Sequence, residues 1–235
     1  MLGSGVSTLR VIRCTKRIGE AFGLNIEMTS TARHFTLSVR DSLSCKSVTR
    51  VVSVPPLPIS FHLNADLSTL SWQAYDECLS LDEVRARFKK LTSKQRLDPM
   101  LTLLLVSLAN ACFCALFGGD LTAMIIVFVA TLIGFGVRQR MAMHGVNQYL
   151  VFMASAFVAS MCSTMALRFD CTAHIAIATS PLFLIPGVPL INGVIDIVDN
   201  HILVGISRLV NAMLLILCLA IGLSATMLIA KSSLL

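Results

Sequence analysis

Five long apolar segments fill the chain beyond Pro99, and they constrain its fold more than any other feature. Each segment is close to the roughly 20 residues that an α-helix needs to cross a bilayer core of about 30 Å. Charged or glycine-containing turns separate the segments, as expected for loops that face water. The sequence therefore predicts an α-helical polytopic membrane protein with spans at residues 99–118, 121–137, 146–167, 172–195 and 202–230.

Charge is distributed unevenly along the chain and divides it into two regions. The protein is 55% hydrophobic and 14% charged, a composition that leaves too few polar groups to cover a soluble domain of this size. Before Pro99 lie 14 of the 19 Lys and Arg and 9 of the 13 Asp and Glu. Because basic loops face the cytoplasm, the basic N-terminal region and the Arg138/Arg140 loop predict that residues 1–98 form a cytoplasmic domain and 99–235 a membrane domain.

Short elements of both kinds indicate that the N-terminal region is a mixed α/β domain. Gly23 is suited to end a first helix in the left-handed conformation, and Ser80 with Glu83 forms a capping box that opens the last one. Pro55 and Pro56 are expected to end the sheet. The predicted helices are residues 6–22, 65–78 and 81–91, and the predicted strands are 25–28, 34–40 and 47–54.

The fourth apolar segment is interrupted by prolines, which predicts a discontinuous helix. Asn192 and Asp196 follow this break, four residues apart and so on one helical face. Ionisable groups in hydrocarbon cost about 2.5 to 3.5 kcal/mol each on insertion scales, so they tend to line a water-filled path or to pair. The predicted substrate and ion pathway consists of Asn192, Asp196, Arg208, Asn110, Pro186, Gly187 and Pro189.

Several interpretations of these polar residues remain open at this stage. Asn192 and Asp196 could simply belong to the loop between the fourth and fifth spans, with Arg208 reaching towards lipid headgroups. Arg208 could instead bind an exported carboxylate, or form an ion pair with Asp196. Asn110 lies mid-span and needs a hydrogen-bonding partner, either in another helix or in a ligand.

Arg10, Arg13 and Arg17 project from one face of the first helix, with Lys16 beside them. Such a stripe is either solvated or headgroup-facing, or it is a contact for an anionic ligand or partner.

Enzyme motifs are missing from the sequence. It contains neither a Walker-type phosphate loop nor a dinucleotide fingerprint, and no serine stands in a G-x-S-x-G turn. The eight cysteines and five histidines show no metal-ligand spacing, which predicts no metal and no cofactor. We therefore expect a protein that is not an enzyme.

Three stretches of sequence carry a resemblance to a known family. The stretch P-G-V-P-L-I-N at 186–192, followed by Asp196, Gly205 and Arg208, resembles the signature of the threonine/serine exporter (ThrE) family. Residues 111–119 are similar to its YjjP-type members, and 3–8 with 18–23 resemble the start of the family's cytoplasmic domain. Family members usually carry another helix ahead of the Gly-Ser-Gly stretch, on which this chain starts almost directly.

The resemblance implies an exporter in the bacterial inner membrane that is driven by the proton-motive force. Its substrates would be amino acids such as threonine and serine or, in the YjjP-type branch, dicarboxylates such as succinate. Full-length members have about ten helices, so a chain with five implies a two-component exporter with a smaller membrane subunit of the YjjB type as partner.

The leading hypothesis is secondary export of a small carboxylate, with Asp196 as candidate proton carrier. The alternative is a membrane-anchored scaffold or sensor whose cytoplasmic domain binds a partner or metabolite. A discontinuous helix argues against it, because a simple anchor needs none. A membrane-bound hydrolase has only isolated Ser, His and Asp residues in its favour.

Overall fold

The computed structural model describes residues 1–31, 34–41, 46–54, 57–93, 97–169 and 171–233, without the side chains of 231–233. The chain forms two compact units. One consists of Met1–Gln95 with Gly187–Asn211, and the other of Arg96–Pro186 with Ala212–Leu235. The division at residue 98 into cytoplasmic and membrane regions concerns solvent and stays a prediction.

The N-terminal part of the first unit combines three helices with a three-stranded sheet. The strands pair antiparallel in the order β1–β2–β3, with Val39 of β2 opposite Ile26 of β1 and Val48 of β3. The mixed α/β composition is therefore confirmed. After a 3₁₀ turn at Leu2–Ser4, the elements are α1 Thr8–Ala21, β1 Leu24–Ser30, β2 His34–Asp41, β3 Ser47–Ser53, α2 Phe61–Asp76 and α3 Leu81–Thr92.

Local signals account for most of these boundaries. Gly23 has φ +67° just past α1, and the reciprocal hydrogen bonds of Ser80 and Glu83 open α3, as predicted. These bonds from Ser80 also lower the pKa of the exposed Glu83 carboxyl. The start of α2 was predicted four residues late, because the Ser60 side chain caps it by accepting from Leu63 N–H. Pro55 and Pro56 lie outside the described residues.

The second unit is built from apolar helices. Its elements are α4 Pro99–Leu116, α5 Leu121–Met143, α6 Gln148–Ser163 and α7 Ala173–Thr179, with 3₁₀ turns at Thr164–Arg168 and Leu182–Leu184. Asp98 caps α4 by accepting from Met100 N–H, and Pro99 occupies the first helical position, where its missing N–H leaves no bond unmade.

Two further helices complete the chain. Helix α8 spans Gly187–Val198 and belongs to the first unit, whereas α9 spans Ile202–Ser233 and contributes to both. Four helices are long and apolar enough to cross a membrane, and the interrupted pair Ala173–Leu184 and Gly187–Val198 brings the number to five among the described residues. The break that the prolines predict is present.

Helix α5 continues six residues past residue 137, where the predicted span ends. The Arg138 guanidinium lies 5.4 Å and 5.3 Å from the ring centroids of Phe135 and Phe152, so a charge at this point is compatible with helix. The helix stops at Met143, before Gly145 with φ +69°. Charge thus marks the end of the apolar stretch here but not the end of the helix.

Small residues let α5 and α6 approach closely. Ser155, Ala159 and Ser163 are fully buried on α6, and a Cβ on Gly134 of α5 would lie 2.8 Å from the Ala159 Cβ. These small residues recur every four positions on α6 and form its interface with α5.

A further contact in this unit joins the loop that precedes α5 to the loop that precedes α7. Thr172 donates to the Asp120 carboxylate from its backbone N–H at 3.0 Å and from its hydroxyl. These hydrogen bonds, with the hydroxyl bond as the larger cause, lower the pKa of the partly buried Asp120.

The contact between α8 and α9 gives a stability prediction. A Cβ on Gly205 would lie 2.6 Å from the Gly193 carbonyl oxygen, whereas a Cβ on Gly136 of α5 would meet nothing within 4 Å. We expect Gly205→Ala to destabilise the protein by about 1 to 3 kcal/mol through overpacking. Gly136→Ala should be neutral or stabilising by up to about 1 kcal/mol, because alanine is the better helix former. Thermal unfolding in detergent measures both, and equal stabilities would contradict the close packing.

Candidate functional site

The site begins with a short turn at the start of the chain. Gly5 adopts φ +85°, a conformation that disfavours residues with a Cβ. Just before it, Ser4 is buried and bonded to Asn64 of α2: its hydroxyl lies 2.7 Å from Asn64 Oδ1, and Asn64 Nδ2 donates to the Ser4 carbonyl at 3.0 Å. The segment from Ser4 to Thr8 is thereby fixed in place.

Asp196 on α8 is fully buried and has three partners. Its Oδ1 accepts from Thr8 N–H at 2.8 Å, and its Oδ2 accepts from the Thr8 hydroxyl at 3.2 Å. Oδ2 also lies 3.1 Å from Arg208 Nη1 on α9. The ion pair that the sequence left open is therefore present.

The carboxylate of Asp196 caps helix α1. Ser7 stands at the N-cap position of α1, but its side chain makes no capping hydrogen bond. Asp196 instead satisfies the N–H of Thr8, the first residue of the helix. The negative charge also opposes the positive end of the helix dipole.

The two other polar side chains of the site bind the turn's backbone. Asn192 Nδ2 donates to the Gly5 carbonyl at 3.0 Å, and Arg208 Nη2 donates to the Val6 carbonyl at 3.0 Å. Asn192, Asp196 and Arg208 are thus brought together on one segment, Gly5 to Thr8. Arg208 is 19% exposed in its side chain, so the pair lies close to the surface of the protein.

Breaking the ion pair of Asp196 and Arg208 costs much more stability than the intact pair contributes. A buried ion pair contributes little net stability, but removing one partner leaves an unpaired buried charge and costs about 3 to 5 kcal/mol. Arg208 offers one nitrogen to Asp196 and another to Val6, so it also needs both partners. Each of the two charges is therefore compensated only while the other is in place.

The turn between α8 and α9 holds two further ionisable residues. Asp199 follows α8 directly, and Asn200 adopts φ +63°. His201 N–H donates to the Asp196 backbone carbonyl at 2.7 Å, while its buried Nε2 has no hydrogen-bond partner among the described residues. Both residues therefore lie in the turn that joins the two helices.

Asn110 belongs to the other compact unit, and its amide nitrogen has hydrogen-bond partners there. Its Nδ2 donates to Thr131 Oγ1 at 2.7 Å, to the Ser180 carbonyl at 3.1 Å and to the Thr179 carbonyl at 3.3 Å. It therefore satisfies carbonyls that α7 leaves free where the helix breaks. Of the two partners considered from sequence, a neighbouring helix is the one observed.

The prolines and glycine of the break have local backbone roles. Ile185, ahead of Pro186, is extended with ψ 123°, as the residue before proline prefers. Gly187 opens α8, and Pro189 stands in its first turn, where a missing N–H leaves no bond unmade. Together they restart the helix in front of Asn192 and Asp196.

Arg10 and Arg13 lie apart from the buried pair, on the exposed side of α1. They line a cleft of about 430 Å³ with Arg17, Trp72 and Asp199. The part of the chain that the structure describes contains no cluster of three or more metal-ligating side chains.

Sequence reasoning did not identify Thr8 as the partner of Asp196. The available signal was weak: a Ser-Thr pair at a helix start, for which a local cap was the ordinary expectation. The sequence gives no indication that the backbone carbonyls of Gly5 and Val6 bind Asn192 and Arg208, because backbone groups are the same in every sequence.

The buried pair gives a second prediction, a double-mutant cycle. We expect Asp196→Asn and Arg208→Gln each to destabilise the protein by about 3 to 5 kcal/mol, and the double variant to cost clearly less than their sum. Thr8→Val should cost only about 0.5 to 1.5 kcal/mol, because the backbone N–H bond remains. Chemical unfolding in detergent measures all four variants, and strict additivity would show that the two charges do not interact.

The sequence of this chain is similar to those of known proteins over most of its length. Two curated relatives, from Klebsiella aerogenes and Escherichia coli strain K12, are each 30% identical over 226 residues, covering 94% of this chain and 86% and 87% of their own. Each bears the name "Probable succinate transporter subunit YjjP". No solved structure gives a significant match. The family model described as "Putative threonine/serine exporter" matches residues 1–230, so the chain belongs to the threonine/serine exporter (ThrE) family.

Proposed function

We propose that this chain is one subunit of an ion-gradient-driven exporter of small carboxylate metabolites, with a dicarboxylate such as succinate as the favoured substrate. Asn192, Asp196 and Arg208 form its transport site. The family and the names of the relatives support export of a small metabolite, and the word "subunit" in those names supports a partner component.

The observation that carries this proposal is the buried pair of Asp196 and Arg208. It stands between a broken helix and the first turns of a long apolar one. Ionisable residues in such helices are costly and mark ion and substrate pathways by default. A discontinuous helix next to them is the arrangement on which secondary transporters build their sites.

The chemistry of the pair suggests how the movements of a proton and an anion are coupled. Protonation of Asp196 removes the charge that holds Arg208, and the freed guanidinium can then accept a substrate carboxylate in bidentate form. When the substrate leaves, Asp196 loses its proton and recovers Arg208. Because only one anion at a time neutralises Arg208, the substrate and the proton are bound together and cross the membrane in the same direction. Export then follows the combined outward gradient of proton and substrate.

Helix α1 takes part in this exchange through Thr8. Its N–H and hydroxyl are bonded to the ionised carboxylate. Protonation weakens both bonds and the favourable interaction with the helix dipole. The occupancy of the site is thereby transmitted to the N-terminal domain.

The proposed topology follows from charge and from the same contacts. Basic residues concentrate in the N-terminal domain, which favours a cytoplasmic position in the bacterial inner membrane. Thr8 contacts Asp196, so the end of α8 lies on the side of the membrane where this domain lies. The partner we propose is the smaller YjjB-type membrane subunit.

A transport assay tests the proposal. In proteoliposomes that hold this chain and its partner subunit, we expect Asp196→Asn to reduce succinate flux driven by a pH gradient at least about 10-fold, since the proton-carrying group is lost. Exchange of labelled for unlabelled succinate without a gradient should persist. Arg208→Gln should abolish both activities, because the guanidinium binds the substrate itself.

Asp82→Asn is the matched control, because this exposed aspartate of α3 pairs only with Arg85 at the surface among the described residues. It should transport like the unmodified protein. Full gradient-driven flux in Asp196→Asn would remove that residue from the mechanism. Transport at the full rate by the partner subunit alone would favour the scaffold or sensor alternative.

A further inference from the structure

A cleft of about 430 Å³ lies beside α1, separate from the Asp196 carboxylate. Arg10, Arg13 and Arg17 line it from α1, and Ser68 and Trp72 line it from α2. Its volume lies within the range of about 300 to 1,000 Å³ that is usual for small-molecule sites. The transport site described above does not use these residues.

The cleft carries a net positive charge. Three guanidinium groups face one carboxylate, that of Asp199, which leaves two positive charges uncompensated. Arg10 and Arg13 form no ion pair or side-chain hydrogen bond with any residue that the structure describes, and both are exposed. An anion with two negative charges matches this balance.

Arg17 is held in position for such an anion. Its guanidinium carbon lies 3.5 Å from the centroid of the Trp72 ring, and its Nη1 donates to the Ser71 hydroxyl at 2.8 Å. A planar guanidinium fixed by stacking is pre-organised to bind a carboxylate, because little further side-chain entropy is lost. The hydroxyls of Ser7 and Ser68 add hydrogen-bonding groups to the lining.

We propose that this cleft binds a small dicarboxylate, with one carboxylate at Arg17 and the other between Arg10 and Arg13. The identity of the dicarboxylate rests on the proposed function. Ser7 and Asp199 flank the cleft, and their neighbours Thr8 and Asp196 form the buried hydrogen bonds. A ligand in the cleft therefore adjoins the start of α1, where the transport site is anchored.

Trp72 makes the proposal directly measurable, because it is the only tryptophan of the protein. Its side chain is half-exposed and stacked on Arg17. In the full chain purified in neutral detergent, titration with sodium succinate should change the tryptophan emission in a saturable way. Sodium chloride at matched ionic strength and sodium acetate should produce no comparable change at the same concentrations.

Variants in which arginine is replaced by glutamine test whether the lining residues bind the dicarboxylate. Arg10→Gln with Arg13→Gln should weaken the apparent affinity at least about 10-fold, through loss of charge-assisted hydrogen bonds. Arg50→Gln with Arg85→Gln removes the same charge from exposed positions outside the cleft and should leave the titration unchanged. Circular dichroism of both double variants verifies that they are folded.

Three results would overturn the proposal: no saturable change with succinate, an equal change with acetate, or an unaltered titration in the Arg10/Arg13 double variant. The same titration in lipid nanodiscs tests whether the cleft binds a lipid headgroup. If phosphatidylglycerol alters the emission and succinate cannot reverse the change, the cleft takes a lipid phosphate instead. The titration needs neither the partner subunit nor a gradient, so it is independent of the transport assay. Failed transport with intact binding would reject only the proposed transport function. Intact transport with failed binding would reject only the proposed cleft site.

Discussion

The buried carboxylate of Asp196 is the constraint on which the first compact unit depends. A charge excluded from water is tolerated only when nearby groups compensate it, and here the compensation comes from Arg208 and from the start of α1. Three separate pieces of chain therefore have to meet at one carboxyl group. The glycine turn at Gly5 and the close approach of Gly193 and Gly205 supply the geometry that makes this meeting possible.

This arrangement links chemistry in the apolar helices to a domain of different composition. Helix α1 receives its N-terminal cap from α8, so the charge state of Asp196 acts on α1 directly. The same helix carries the arginines of the cleft. In an exporter, substrate binding, binding of the driving ion and conformational change have to be coupled. Because the start of α1 lies next to both the carboxylate and the cleft, it offers a short structural connection between them.

Local features of the fold could be predicted from the sequence, and long-range ones could not. The capping box at Ser80 and the proline break depend on neighbouring residues, and both are confirmed. Helix α5 runs past residue 137, where the predicted span ends, because a charge that ends an apolar run need not end a helix. Asp196 and Arg208 could be named as a pair from their polarity, but Thr8 lies 188 residues from Asp196, and no local pattern joins them.

The central claim is that Asp196 takes up a proton when substrate occupies Arg208. Difference infrared spectroscopy of the two-subunit complex, with and without succinate, measures this directly through the C=O stretch of a protonated carboxyl group. We predict that succinate produces such a band in the unmodified protein and that the band is missing in Asp196→Asn. The same band in that variant, or no band in either protein, would contradict the account.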